Sequence, residues 1–313
     1  MLCAEPTRRE EWVDVARCVA MLSILALHAG ADAAWLGEPV GGSICLFFVM
    51  AGYFMPREPG RAAQRALRLG LAWLLWSLLS LGLYILAQPE QGWTWARAFG
   101  LGAAAYNTPL WFLKNLCIFE LLVAAMAALR LLPRYGWLIL AVLAGFTYAA
   151  EPAQHESLRF SWLPAVLLGY NLRAHSLAHL RELLVRHAWA LAAAGVLLLL
   201  QRACYPELLA WAGLRAAACS LPVASLVWAL GYALAAMALL RLCPRLAGLM
   251  AQSGACMLFI YAAHSLAYAP FYASGISAGW GLVAMLALLV LLTLLGRALQ
   301  RAWPWGMRLL TAR

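Results

Sequence analysis

Charge is what this sequence has least of. Asp, Glu, Lys and Arg together make up 12% of its 313 residues, where soluble domains carry about 25%. Hydrophobic residues reach 65%, too many for one core to hide, so lipid must serve as part of the solvent. That excludes a disordered chain, a disulfide-stapled secreted fold and a DNA-binding domain. Lysine is nearly missing. Of 23 basic residues only Lys114 is a lysine, and with Ala and Leu abundant this bias indicates a GC-rich, bacterial genome. The net charge of +10 is not clustered along one segment, so nucleic acid is not expected as a partner; excess arginine in a membrane chain marks cytoplasmic loops. The eight cysteines form no CxxC pair and no Cys/His metal spacing. In apolar runs a thiol packs as a small hydrophobe, and no metal is expected. No cleavable signal peptide, internal repeat or linker is expected. Residues 1–313 therefore read as a single integral-membrane domain.

What is present is a series of apolar runs. A helix rises 1.5 Å per residue and the hydrocarbon core is about 30 Å thick, so runs near 20 residues are candidate spans. They fall at 12–31, 40–56, 66–87, 109–131, 136–150, 161–173, 188–202, 217–240, 249–271 and 278–297. The expectation is an all-α polytopic membrane protein with about ten transmembrane helices. An extra apolar stretch, Trp95–Tyr106, reads as an interfacial or re-entrant helix. The segment 173–187 (RAHSLAHLRELLVRH) reads as an amphipathic helix on the inner surface. An even count puts both termini on one side, and the arginines choose it. Seventeen fall in one set of segments and four (Arg97, Arg159, Arg202, Arg215) in the other, with Arg17 and Lys114 inside spans. The majority side is cytoplasmic, termini included.

Ionisable residues inside spans are functional candidates, because each costs at least a few kcal/mol to insert. The first span places Arg17 eleven residues before His28, which is three turns plus about 20°. The two share a face roughly 16 Å apart along the axis. Either alone explains itself by snorkelling to its own interface; a shared stripe favours the protein interior. The fourth span holds Lys114 near the outer interface and Glu120 near mid-membrane. Six residues turn them about 240° apart, so they are not an ion pair. Lys114 either snorkels outward or joins a pocket, whereas Glu120 must face a neighbouring helix. In the ninth span, His264 comes to roughly the depth of His28 and Lys114; convergence of the three would build a polar pocket. Arg61, Arg65 and Arg68 occupy one face at the start of the third span. They serve either as topology signals or as bidentate grips on a phosphorylated ligand.

Together these residues resemble the acyltransferase 3 family of multi-pass membrane enzymes. Arg17 and His28 resemble that family's first-helix Arg–His signature. Arg65-Ala-Leu-Arg68 matches its Arg-x-x-Arg pair, and FFVMAGYF at 47–54 its FFVxSGYF segment, with Ala51 in place of Ser. PLWFL at 109–113, which holds Trp111, and IYAAHSL at 260–266 are further matches. The resemblance implies transfer of an acyl group, commonly acetyl from acetyl-CoA, to a hydroxyl of a surface glycan or lipid-linked sugar. On that pattern His28 is the catalytic base, Arg17 its companion, and Arg65 and Arg68, with Arg61 beside them, grip the CoA phosphates. Lys114, Trp111, Glu120 and His264 are expected around the acceptor or oxyanion, and Arg17 either orients the CoA arm or holds Glu120. The chemistry is compatible. A neutral imidazole can take the proton of an attacking hydroxyl, and the base lies roughly 20 Å outward of the arginines, a gap the pantetheine arm can span. The expected setting is a bacterial inner membrane. The alternative is a ten-span small-molecule transporter, although no similarity between two halves is visible.

Overall fold

The computed structural model describes residues 10–28, 33–87, 92–99, 107–149, 159–197, 217–273 and 278–311, and among these there is no strand. The helices are α1 (Glu11–His28), α2 (Ala33–Tyr53), α3 (Pro59–Ala87), α4 (Trp95–Ala98), α5 (Trp111–Ala128), α6 (Leu131–Ala149), α7 (Leu163–Leu172), α8 (Leu177–Arg186), α9 (Ala188–Leu197), α10 (Ala217–Leu242), α11 (Pro244–Ala255), α12 (Met257–Ala273), α13 (Ala278–Ala302) and α14 (Pro304–Leu310). Proline punctuates the later part: Pro244 and Pro304 each stand in a first helical turn, where the missing N–H costs nothing. Between α5 and α6, Arg130 turns the chain with a left-handed φ of 57°.

Close crossings are made by glycine. A Cβ on Gly52 would run into the backbone of Val166, and one on Gly169 into the backbone of Val49, so α2 and α7 touch main chain to main chain. Gly42 lets α10 approach α2 at Trp228, and Gly254 lets α11 pass the backbone of Asp14 on α1. Small residues at such contacts supply the dispersion packing that lipid cannot replace. α2 thus lies against α1, α7 and α10, while α3 lies against α5. One apolar core joins α1, α2, α3, α5, α7, α12 and α13; a second joins α1, α2 and α10.

The chain is an all-α, multi-pass membrane protein, and each of the ten apolar runs is largely helical over its described residues. The ten-span expectation goes further than the helices do. Among the described residues four are long and apolar enough to cross, or five if a bent pair counts as one. α1 has the length but carries Glu11, Asp14 and Arg17; Pro39–Tyr53, Leu131–Gly145 and Ala188–Leu197 are apolar but short. The expected span 249–271 is not one straight helix. It is α11 and α12, bent by 78° beside Cys256, directly after the point where Gly254 meets α1. The interfacial helix expected over 95–106 is the single turn α4; residues 100–106 lie outside the described residues, as do Arg8, Arg9, Arg202, Arg215 and Arg313. The amphipathic helix expected over 173–187 is α8, opened by Ser176, whose side chain accepts from the His179 N–H at 3.2 Å. Leu177, Leu180, Leu183 and Leu184 face an apolar crevice against α2 and α10, while His175 and His179 remain exposed.

Candidate active site

α1 is unbroken from Glu11 to His28, so the stripe expected from the sequence exists as one rigid element. At its lower end the Arg17 guanidinium sits 3.5 Å from the Asp14 carboxylate and 5.3 Å from the centre of the Phe54 ring. Asp14 is buried, whereas Arg17 keeps about a quarter of its side chain exposed. Arg17 also lines a cavity of about 230 Å³. Arg65 from α3 lines it from the other side, and Phe47, Phe112 and Tyr261 form an aromatic wall.

Of the three arginines on the expected face, only Arg65 turns inward. Its Nη2 lies 3.0 Å from Oε1 of Glu120, whose side chain has no exposed surface. Charge alone holds this pair, since neither carboxylate oxygen makes a hydrogen bond of acceptable geometry among the described residues. Arg61 pairs with Glu58 at 2.9 Å on the surface, and Arg68 is exposed. The expected option that Arg17 holds Glu120 is therefore not realised. Arg17 takes its carboxylate from its own helix, three residues back, and Glu120 takes its cation from α3, the helix α5 packs on.

At the upper end of α1 the ring of His28 lies 4.9 Å from that of His264, tilted by 54°. His264 is fully buried. Its Nδ1 lies 2.6 Å from the carbonyl oxygen of Tyr261, one turn earlier in α12. A carbonyl cannot donate, so Nδ1 carries the hydrogen, and a neutral ring then keeps its acceptor at Nε2. That nitrogen is buried and has no hydrogen-bond partner among the described residues. Tyr261 joins the two ends: its ring lines the arginine cavity and lies 5.7 Å from the His264 ring. Its hydroxyl donates to the Pro109 carbonyl at 3.1 Å.

The expected convergence of His28, Lys114 and His264 is seen for the two histidines. Lys114 is buried on α5 rather than extended to the surface, and it is not part of the arginine-cavity lining. Trp111 belongs to an aromatic cluster with Phe48 and Phe112 and carries the Arg159 guanidinium 4.6 Å above its ring. Three participants have no site role in the sequence reading. Tyr261 is legible after the fact, because residues three apart share a helix face. Asn107 is buried, donating to Ser80 at 3.2 Å and to the Ala262 carbonyl at 3.1 Å. Arg159 donates its backbone N–H to Asn115 at 2.9 Å. These last contacts join segments 27 to 155 residues apart, and no local pattern announces them.

The arrangement has arginines at a cavity, an aromatic wall and a packed imidazole pair, which suits a ligand that is anionic at one end and reactive at the other. Comparison with known families agrees. The chain matches the family model described as an acyltransferase domain, that of acyltransferase 3, over residues 10–299 of 313, and it belongs to that family. No curated protein and no solved structure matches it.

Proposed function

Starting from membership of that family, we propose that this protein is an O-acyltransferase of a bacterial inner membrane. It moves an acyl group, acetyl in the first instance, from cytoplasmic acyl-CoA to a hydroxyl of a cell-surface glycan or lipid-linked sugar. In this reading the chain crosses the membrane about ten times, folds as one domain and keeps both termini in the cytoplasm. The observation that carries the proposal is the cavity that runs from Arg17 and Arg65 to Tyr261, one helical turn from the His28–His264 pair. At about 230 Å³ it is smaller than ordinary pockets for drug-sized ligands, which start near 300 Å³. It therefore takes the slender pantetheine arm and leaves the nucleotide outside, beside Arg61, Arg65 and Arg68. Bidentate guanidinium contacts suit those phosphates. Phe47, Phe112 and Tyr261 give the arm an apolar wall.

The transfer itself asks for a base and for stabilisation of an oxyanion. His28 takes the proton of the acceptor hydroxyl as its oxygen adds to the thioester carbonyl. The tetrahedral intermediate collapses, the C–S bond breaks, and the CoA sulfur leaves with the proton that His28 returns. Lys114 is the cation assigned to the oxyanion, and His264 holds His28 in register. Trp111 and Glu120 shape the surrounding wall, Glu120 through Arg65. The transporter alternative has no observation of its own in its favour.

The test is label transfer. Membranes containing the wild-type protein, given acetyl-CoA labelled in the acetyl group, are expected to place base-labile label in envelope glycan or lipid. His28→Ala membranes with equal protein are expected to place none. Equal labelling by both would overturn the assignment of the base.

A further inference from the structure

The second basic site of the molecule lies away from the arginine–histidine axis. Arg57 follows α2, Arg134 opens α6 and Arg173 closes α7, and all three line one cavity of about 550 Å³. They come from three separate segments of the arginine-rich side. No acidic residue lines the cavity with them. Like charges gathered without a counter-charge repel, so the site favours an anion. A buried donor waits there as well: Nδ2 of Asn171, on the cavity wall, has no hydrogen-bond partner among the described residues. Leaving a buried donor unpaired is costly, and an anionic oxygen would satisfy it. Arg173 is held in place. It donates to the carbonyls of Met55 and Pro56 at 3.2 Å each and stacks 3.5 Å from the centre of the Tyr170 ring. The rim carries Trp137, with 57% of its surface exposed. An exposed indole beside arginines is the pattern of a membrane–water interface, where basic pockets between helices hold phospholipid headgroups.

We propose that this cavity binds the phosphodiester headgroup of an anionic phospholipid, with Arg57, Arg134 and Arg173 around the phosphate, Asn171 donating to it, and the acyl chains leaving past Trp137. The site lies apart from the acyl-transfer residues and does not depend on that reading. It has a structural consequence, since the Met55–Pro56 turn that Arg173 holds leads into α3, the helix carrying Arg65.

The test is binding of fluorescent phosphatidylglycerol, against fluorescent phosphatidylcholine, to the full-length protein in neutral detergent. Three proteins are compared: wild type, Arg57→Ala/Arg134→Ala, and Arg241→Ala/Arg245→Ala, which removes equal charge at the α10–α11 junction. Arg173 is left intact because it supports the turn. The expected result is preference for phosphatidylglycerol, weakened about tenfold or more in the first double variant and unchanged in the second. Saturating CoA should not displace the lipid. Equal affinity for the two lipids, equal weakening in both variants, or displacement by CoA would each overturn the proposal; the last would make the cavity a nucleotide site.

Discussion

The two ends of α1 meet the rest of the protein in opposite ways. At the lower end Arg17 keeps part of its side chain in the open, faces a cavity shared with Arg65, and is flanked by carboxylates on Asp14 and, through Arg65, on Glu120. At the upper end His28 packs against another imidazole, with His264 wholly buried and its Nδ1 tied to a backbone carbonyl. One end is built from arginines and carboxylates around a cavity, the other from two imidazole rings packed together. The difference teaches that two chemically unlike sites share one helix about 16 Å apart, and the proposed function gives binding to one and chemistry to the other. They should therefore be separable by substitution.

The sharpest break comes from His28→Ala. Loss of a general base costs about 10²–10⁴-fold, so kcat for acyl transfer should fall by that much while CoA affinity, measured by calorimetry, stays as in the wild type. Arg68→Ala should do the reverse. Removing one charge-assisted contact costs about 1.5–3 kcal/mol, which is roughly 10- to 100-fold in KM for acyl-CoA with kcat little changed. Gly254→Ala should blur the two ends at once. Its Cβ would meet the backbone of Asp14, displacing the helix that holds both Arg17 and His28, and a fall in thermal stability should accompany losses in kcat and KM together. His264→Gln should lower kcat by less than His28→Ala does, with KM unchanged, since His264 acts by placing its neighbour. Arg61→Ala should have the smallest effect on stability. Its pair with Glu58 is mostly exposed, and such pairs contribute about 0–1 kcal/mol, so a melting comparison should show little change.

Much of this was legible in the sequence because it lies within single helices. The Arg17–His28 stripe follows from helical pitch, and the divergence of Lys114 and Glu120 follows from the same arithmetic. The amphipathic helix α8 was legible from the polar break at 173–187, although its start at Ser176 was not. What was not legible depends on how helices meet. Glu120 was expected to need a partner, but that the partner is Arg65 follows from the packing of α3 on α5. The approach of the His28 and His264 rings depends on the bend after α11, and a hydropathy window averages over that bend because both sides are apolar. Asn107 reaches Ala262 across about half of the chain length. Among the described residues fewer than ten helices are long and apolar enough to cross, because α1 carries charge in its first turns and three other apolar helices show only 10–17 residues there.

Arg65 needs care as a probe, because Arg65→Ala alone strands the buried Glu120 carboxylate, and breaking a buried pair is itself destabilising. The most direct test of the account is calorimetric titration of CoA and acetyl-CoA into the detergent-purified protein. Wild type is set beside His28→Ala and the triple variant Arg65→Ala/Arg68→Ala/Glu120→Gln, which removes the arginine grip and its orphaned partner together. The account predicts saturable binding of both ligands by wild type and His28→Ala, and loss of binding by a triple variant that melts cooperatively. Binding retained in the folded triple variant, or absent from a folded wild type, would contradict it.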